Sequence, residues 1–110
     1  MPLLPKLFNF LKKNPDINSG AEKARETGAL LLDVRTPREF QGGHIPGSIN
    51  LPLHLLEEIT AKYPDKNQPI YVYCRSGNRS NQAKIRLLEM GYTTVYDLGG
   101  IHKYHGDLKK

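Results

Sequence analysis

Cysteine is almost absent from this chain, with one residue among 110. An internal disulfide is thereby excluded, and a reducing compartment is permitted, so a cytoplasmic protein is the expectation. No apolar run is long enough to cross a bilayer, and no transmembrane segment is expected. Basic residues outnumber acidic ones, 16 to 11, for a net charge of +5. They are scattered, with short pairs at Lys12-Lys13 and Lys109-Lys110, and no aromatic residues interleave with them. A nucleic-acid-binding stripe is therefore not expected, and a modest positive balance suits small anionic molecules. His102 and His105 lie three apart without a further pair of ligands, so no metal site is expected. Charged residues at 25% and hydrophobic ones at 38% argue against disorder. The length supports one domain with its own core and is too short for two.

What is present gathers around one stretch, Ile70-Tyr71-Val72-Tyr73-Cys74-Arg75-Ser76-Gly77-Asn78-Arg79-Ser80. Its first half is β-branched and aromatic, follows Pro69 and reads as a short buried strand. Residues 81–90 then carry Ala83, Leu87 and Leu88 at helical spacing, and Gly91 supplies a stop. The single cysteine thus falls between a strand and a helix, where backbone N–H groups and the positive end of the helix favour a thiolate. Gly77 is free to take the positive φ that a tight cradle requires. Arg75 and Arg79 are fixed positive forks suited to a small oxyanion.

Taken alone, a cysteine ending an apolar strand is a small buried hydrophobe. Its company argues otherwise. Two arginines, one glycine and two serines follow within six residues, a mixture that no core requires. The expectation is a nucleophilic sulfur beside a bound anion.

The loop Cys74-Arg75-Ser76-Gly77-Asn78-Arg79-Ser80 resembles the active-site loop of the rhodanese (thiosulfate sulfurtransferase-like) family. Leu31-Leu32-Asp33-Val34-Arg35 with Glu39-Phe40, and Gly43-His44-Ile45-Pro46-Gly47-Ser48-Ile49-Asn50-Leu51-Pro52, match two further motifs of that family in the same order. Gly91-Tyr92 and Gly99-Gly100-Ile101 fall where its pattern places them. The likeness runs from about residue 15 to residue 101. It implies that Cys74 is catalytic, that Arg75, Ser76, Gly77, Asn78, Arg79 and Ser80 bind the substrate, and that Asp33 and Arg35 brace the loop. Read from the residues alone, Asp33 and Arg35 make a local ion-pair network, with Arg35 in reach of Glu39 at i+4. The chain departs from the family after Gly100. Members commonly carry a tryptophan and a longer closing helix there, whereas this chain has no tryptophan and Tyr104 is the nearest substitute.

In chain order, residues 1–14 form an N-terminal amphipathic extension and residues 15–110 the domain. Leu3, Leu4, Leu7, Phe8 and Leu11 share one helical face, with lysines beside it. The extension reads as a helix packed on the domain, with a membrane-surface or dimer contact as alternatives. Pro5 and Lys6 interrupt it, and no cleavage site follows, so it is a poor secretory signal. Ile17 begins a very short edge strand, and Ser19 to Glu22 has capping-box spacing for a helix to about Glu26, ended by Gly28. Residues 29–34 read as a parallel strand buried on both faces, with Asp33 and Arg35 at its C-terminal end, the edge where sites assemble in open α/β sheets. A helical turn over 37–40, a loop over 41–43, a strand over 48–51, a helix over 53–62 and a last strand over 93–98 follow, with Gly99-Gly100 turning the chain. His44 is read as stabilising its turn. The alternation predicts a three-layer α/β/α domain with a small, mostly parallel sheet of about five strands.

The chemistry implied is sulfur transfer. The Cys74 thiolate attacks the outer sulfur of thiosulfate, releasing sulfite, or of a persulfide donor, releasing its thiolate, and leaves a Cys74 persulfide that cyanide, a thiol or a partner protein discharges. No metal or organic cofactor is required. A second class is a cysteine-dependent phosphatase or arsenate reductase, which also places cysteine and arginine between strand and helix. Such phosphatases carry five residues between the two, whereas four lie between Cys74 and Arg79. A third, non-enzymatic class is a persulfide carrier or redox sensor. Oligomeric state and physiological donor are not legible.

Overall fold

The structure is a computed structural model that describes residues 13–110. The face of Leu3, Leu4, Leu7, Phe8 and Leu11 lies outside the described residues.

Helix α1 spans Ile17–Thr27. Asp16 is its N-cap, accepting from Asn18 N–H at 2.9 Å and Ser19 N–H at 3.2 Å. Ile17 therefore opens a helix and not an edge strand, because the carboxylate of Asp16 satisfies the first free amides. Ser19, expected as the cap, sits inside the first turn and donates to the Asp16 carboxylate at 2.7 Å. Gly28 ends the helix in the left-handed conformation.

Four strands follow among the described residues: β1 (Leu30–Asp33), β2 (Ile49–Asn50), β3 (Ile70–Cys74) and β4 (Val95–Gly100). They form one sheet in the order β2-β1-β3-β4, and every neighbouring pair is parallel. Between β1 and β2 lies α2 (Pro37–Gly42), started by a capping box in which Thr36 and Glu39 bond reciprocally. Between β2 and β3, a 3₁₀ segment, Leu53–Glu58, runs into the single turn α3, Ile59–Lys62. The expected helix over 53–62 is thus mostly 3₁₀. Helix α4, Asn78–Glu89, joins β3 to β4, and a 3₁₀ turn follows at Ile101–Lys103.

Alternation along the strands divides the core. Leu30, Leu32, Ile70, Val72 and Cys74 face Leu56, Ile59, Ala83, Leu87 and Leu88 of the 3₁₀–α3 segment and α4. Leu31, Tyr71, Tyr73 and Leu98 face Ile17, Ala21 and Ala24 of α1. This is the expected α/β/α layering. Because side chains alternate in β3, Cys74 points toward α4, the helix whose first turn begins four residues later. Fully burying Leu87 contributes about 1.5–3 kcal/mol.

β4 extends through Gly99 and Gly100 instead of turning there, and Cys74 lies opposite Gly100. An irregularity in register between Val72 and Tyr73 accommodates this pairing. Among the described residues no helix follows the 3₁₀ turn at Ile101–Lys103. His44 N–H donates to Lys109 O at 2.9 Å and Lys109 N–H to His44 O at 2.8 Å, so the last residues bridge back to the turn before β2. At the other end of the described chain, Asn14 Oδ1 accepts from Lys84 Nζ and from Asp97 N–H, each at 2.9 Å, tying the approach to α1 onto α4 and β4.

Candidate active site

Asp33, Cys74 and Gly100 end three adjacent parallel strands, so the site lies at the C-terminal edge of the sheet. β3 ends at Cys74 because the apolar run ends there. The next residues must climb from the sheet into α4 within three positions. Gly77 makes that possible with φ of +112°, a conformation costly for a residue with a Cβ.

That turn brings the Gly77 N–H to the sulfur, donating to Cys74 Sγ at 3.0 Å. The thiol S–H donates to Ser80 Oγ at 3.5 Å, and the Ser80 hydroxyl donates to Gly77 O at 3.1 Å. Loss of the thiol proton would leave Ser80 free to rotate its hydrogen toward the sulfur. Cys74 and Ser80 are buried, whereas Arg75, Ser76 and Asn78 are exposed. The loop therefore presents a shielded sulfur under an open polar rim.

Arg79 does not point into open space. Its guanidinium is forked onto Glu39 of α2, with Nη1–Oε1 at 2.7 Å and Nη2–Oε2 at 2.9 Å. The hydrogen bonds from Arg79 are the main reason that the Glu39 carboxyl is held down at about 2. The pair spans 40 residues of sequence and clips the catalytic loop to the β1–α2 segment. It replaces the Arg35–Glu39 contact expected from i+4 spacing, which fails because residue 35 precedes the helix.

Arg35 instead folds onto Asp33. Its Nε lies 3.0 Å from Asp33 Oδ1 and its Nη2 2.7 Å from Asp33 Oδ2, and Nη2 also donates to Gly43 O at 2.8 Å. Both residues are buried. Asp33 and Arg35 thus hold the 35–43 segment directly, and that segment meets the cysteine loop through the Glu39–Arg79 pair. Arg35 also lies over the Tyr73 ring, 5.7 Å from its centroid. Burial raises the Tyr73 hydroxyl well above the usual phenol range, and that hydroxyl accepts from Ile45 N–H at 3.1 Å.

His44 stacks on Phe40 with ring centroids 3.7 Å apart, and its Nδ1 lies 2.9 Å from Phe40 O, so it locks its own turn. His102, which the sequence pairs with His105 at a spacing that lacks further metal ligands, has its Nδ1 2.9 Å from the carbonyl of Arg75. Gly100 permits this, since a Cβ there would collide with both His102 and the Arg75 carbonyl. Two hollows flank this contact. One, of about 360 Å³, is walled by Arg35, Arg38, Arg75, Ile101, His102 and Leu108. The other, of about 630 Å³, runs past Ser76, Gly99, Gly100, His102, Lys103 and His105. Ile101, His102 and Leu108 belong to the stretch after Gly100 in which the sequence departs from the family pattern.

Of the residues singled out in the sequence, Cys74, Gly77 and Ser80 converge on the sulfur. Arg75, Ser76 and Asn78 form the rim, and Arg79 is committed to Glu39. Sequence reasoning overlooked Glu39 as that partner and His102 as a loop contact. The T-x-x-E spacing of Thr36 and Glu39 was a readable signal for the cap alone.

The rhodanese-like domain model matches residues 18–107. The chain belongs to the rhodanese-like domain family. Among its relatives, the thiosulfate sulfurtransferase PspE of Escherichia coli (strain K12) is 48% identical over 71 residues, which cover 64% of this chain and 68% of that protein. The thiosulfate sulfurtransferase GlpE of Pseudomonas savastanoi pv. phaseolicola is 40% identical over 80 residues, 73% of this chain and 74% of that protein. A solved structure described as a rhodanese with anions from E. coli superposes with a TM-score of 0.69 at 42% identity, over 74% of this chain and 98% of that one. No helix among the described residues is long and apolar enough to cross a membrane.

Proposed function

We propose that this rhodanese-like protein is a sulfurtransferase that moves the sulfane sulfur of thiosulfate, through a persulfide on Cys74, to cyanide or a thiol acceptor. The observation that carries the reading is Cys74 Sγ held against the Gly77 N–H at 3.0 Å, at the start of α4. The names of the relatives point the same way.

In the first transfer, the thiolate attacks the outer sulfur of thiosulfate. The S–S bond of the donor breaks, and its electron pair leaves with sulfite. The product, Cys74–S–S⁻, carries its charge one atom further out, toward the rim of residues 75–78. Exposed Arg75, with Ser76 and Asn78, is placed to receive the sulfonate end of the donor. In the second transfer an acceptor nucleophile takes the outer sulfur and returns the thiolate, so ping-pong kinetics follow. The reaction calls for no metal or organic cofactor. A reducing compartment such as the cytoplasm suits a lone reactive thiol.

Sulfur is favoured over phosphorus by Arg79. A phosphatase aims such an arginine at the phosphate, whereas here both terminal nitrogens of Arg79 are bonded to Glu39. Asp33, the other acid at this edge, is bonded to Arg35 and so makes a poor proton donor to a leaving alcohol.

The test is the intact mass of the protein after exposure to thiosulfate. A gain of one sulfur atom, reversed by cyanide and absent in Cys74→Ser, is expected. Hydrolysis of an aryl phosphate that depends on Cys74, without any sulfur gain, would overturn the proposal in favour of the phosphatase.

A further inference from the structure

His102 is used by neither transfer as written above, yet it is fastened to the loop that carries the nucleophile. Cys74 and Gly100 are opposed on adjacent strands, and two residues beyond Gly100 the imidazole returns to the residue after Cys74. Its Nδ1 lies 2.9 Å from Arg75 O. A carbonyl oxygen only accepts, so Nδ1 carries the hydrogen. In the neutral ring the lone pair therefore sits on Nε2, the nitrogen turned away from the backbone. The residue is exposed and borders both hollows beside the loop. A base with a fixed tautomer, held to the residue after the nucleophile and open to solvent, is suited to take a proton from a nucleophile that arrives along the same rim.

We propose that Nε2 of His102 takes the proton from a thiol acceptor as that thiol attacks the Cys74 persulfide. This rests on the sulfurtransferase reading. The S–H bond of the acceptor gives its proton to Nε2, and the acceptor sulfur bonds to the outer sulfur of Cys74–S–S⁻. The Cys74 S–S bond breaks with its electron pair returning to Sγ. The acceptor departs as its own persulfide anion, and the imidazolium releases the proton to water. One hollow is lined by Arg35, Arg38 and Arg75 against a single carboxylate, Glu39, an excess of positive charge that favours the thiolate as it forms. Thiosulfate, sulfite and thiols already ionised bring no proton, and for them His102 has no chemical task.

The experiment loads the protein with thiosulfate, removes the excess, and follows discharge by three acceptors: an alkyl thiol such as 2-mercaptoethanol, an aryl thiol ionised at neutral pH, and sulfite. His102→Asn is the informative variant, because its amide can still donate to Arg75 O but offers no base. Discharge by the alkyl thiol is expected to fall about a hundredfold relative to the other two acceptors. In the unmodified protein, a solvent deuterium effect on discharge by the alkyl thiol, absent with sulfite, is the matching result. Equal slowing with all three acceptors would make His102 a loop support only and overturn the proposal, as would undiminished transfer to the alkyl thiol. If the unmodified protein takes up no sulfur from thiosulfate, the sulfurtransferase reading itself fails, a result distinct from a failure of His102.

Discussion

Asp33–Arg35 and Glu39–Arg79 are both two-pronged arginine–carboxylate pairs at the same edge of the sheet, but they sit in different solvents. The Asp33 and Arg35 side chains are 0% and 7% exposed, and the pair is local, two residues apart. The Glu39 and Arg79 side chains are 25% and 31% exposed, and the pair joins segments 40 residues apart. In the first, loss of one partner strands a buried charge, so the pair is bound up with folding itself. In the second, water can solvate whatever is left, so little stability is at stake. What that pair controls is where the cysteine loop stands. Similar chemistry therefore holds the buried fold at one place and ties down the cysteine loop at the other.

The comparison is sharpest if chemistry and stability separate completely at the nucleophile. Cys74→Ser should abolish sulfur uptake from thiosulfate and cyanide-dependent turnover while leaving thermal unfolding close to that of the parent. A folded serine variant that still turns over would remove Cys74 from the reaction. Next in size is Asp33→Ala, which leaves Arg35 buried and unpaired and should cost about 3–5 kcal/mol in denaturant unfolding. A loss below about 1 kcal/mol would erase the distinction between the two pairs. Arg79→Ala should behave in the opposite sense. Its stability cost should stay within about 1 kcal/mol, while kcat/KM for thiosulfate falls about tenfold as the loop loses its clip. If instead kcat/KM is kept and stability drops as in Asp33→Ala, the second pair also belongs to the fold.

The smallest effect is one of pH. Arg79 holds the Glu39 carboxyl at about 2, below its ordinary value near 4.5. A lowered carboxylate contributes its stability above its unfolded value and loses it as pH falls through the folded one. The difference in unfolding free energy between the parent and Glu39→Gln should be flat above about pH 4.5 and shrink toward pH 2. With the pair partly exposed, its plateau should be about 1 kcal/mol or less. A difference that grows as pH falls would contradict the assigned ion pair.

Several of these elements were legible beforehand because their causes are local. The apolar run before Cys74, the helical spacing of Ala83, Leu87 and Leu88, and the glycine stop at Gly28 each depend on neighbours in sequence. One error was also local. Ser19 and Asp16 compete for one helix end, and the residue whose carboxylate reaches the first amides won. The 3₁₀ character of Leu53–Glu58 and the run of β4 through Gly99 and Gly100 depend on packing that no short window contains.

By itself, the sequence determined that a lone cysteine ends a buried strand, that a glycine three residues later lets the chain turn back over the sulfur, and that polar and basic residues surround it. Strand period, helix spacing and glycine's freedom in φ operate within a few residues, so the order of residues suffices for them. Only the tertiary structure decided that Arg79 faces Glu39 rather than an anion, and that His102 holds the Arg75 carbonyl. Those choices join residues 40 and 27 positions apart. They follow from which strand ends lie side by side and which side chains water can reach, and both are settled when the sheet assembles and its layers close.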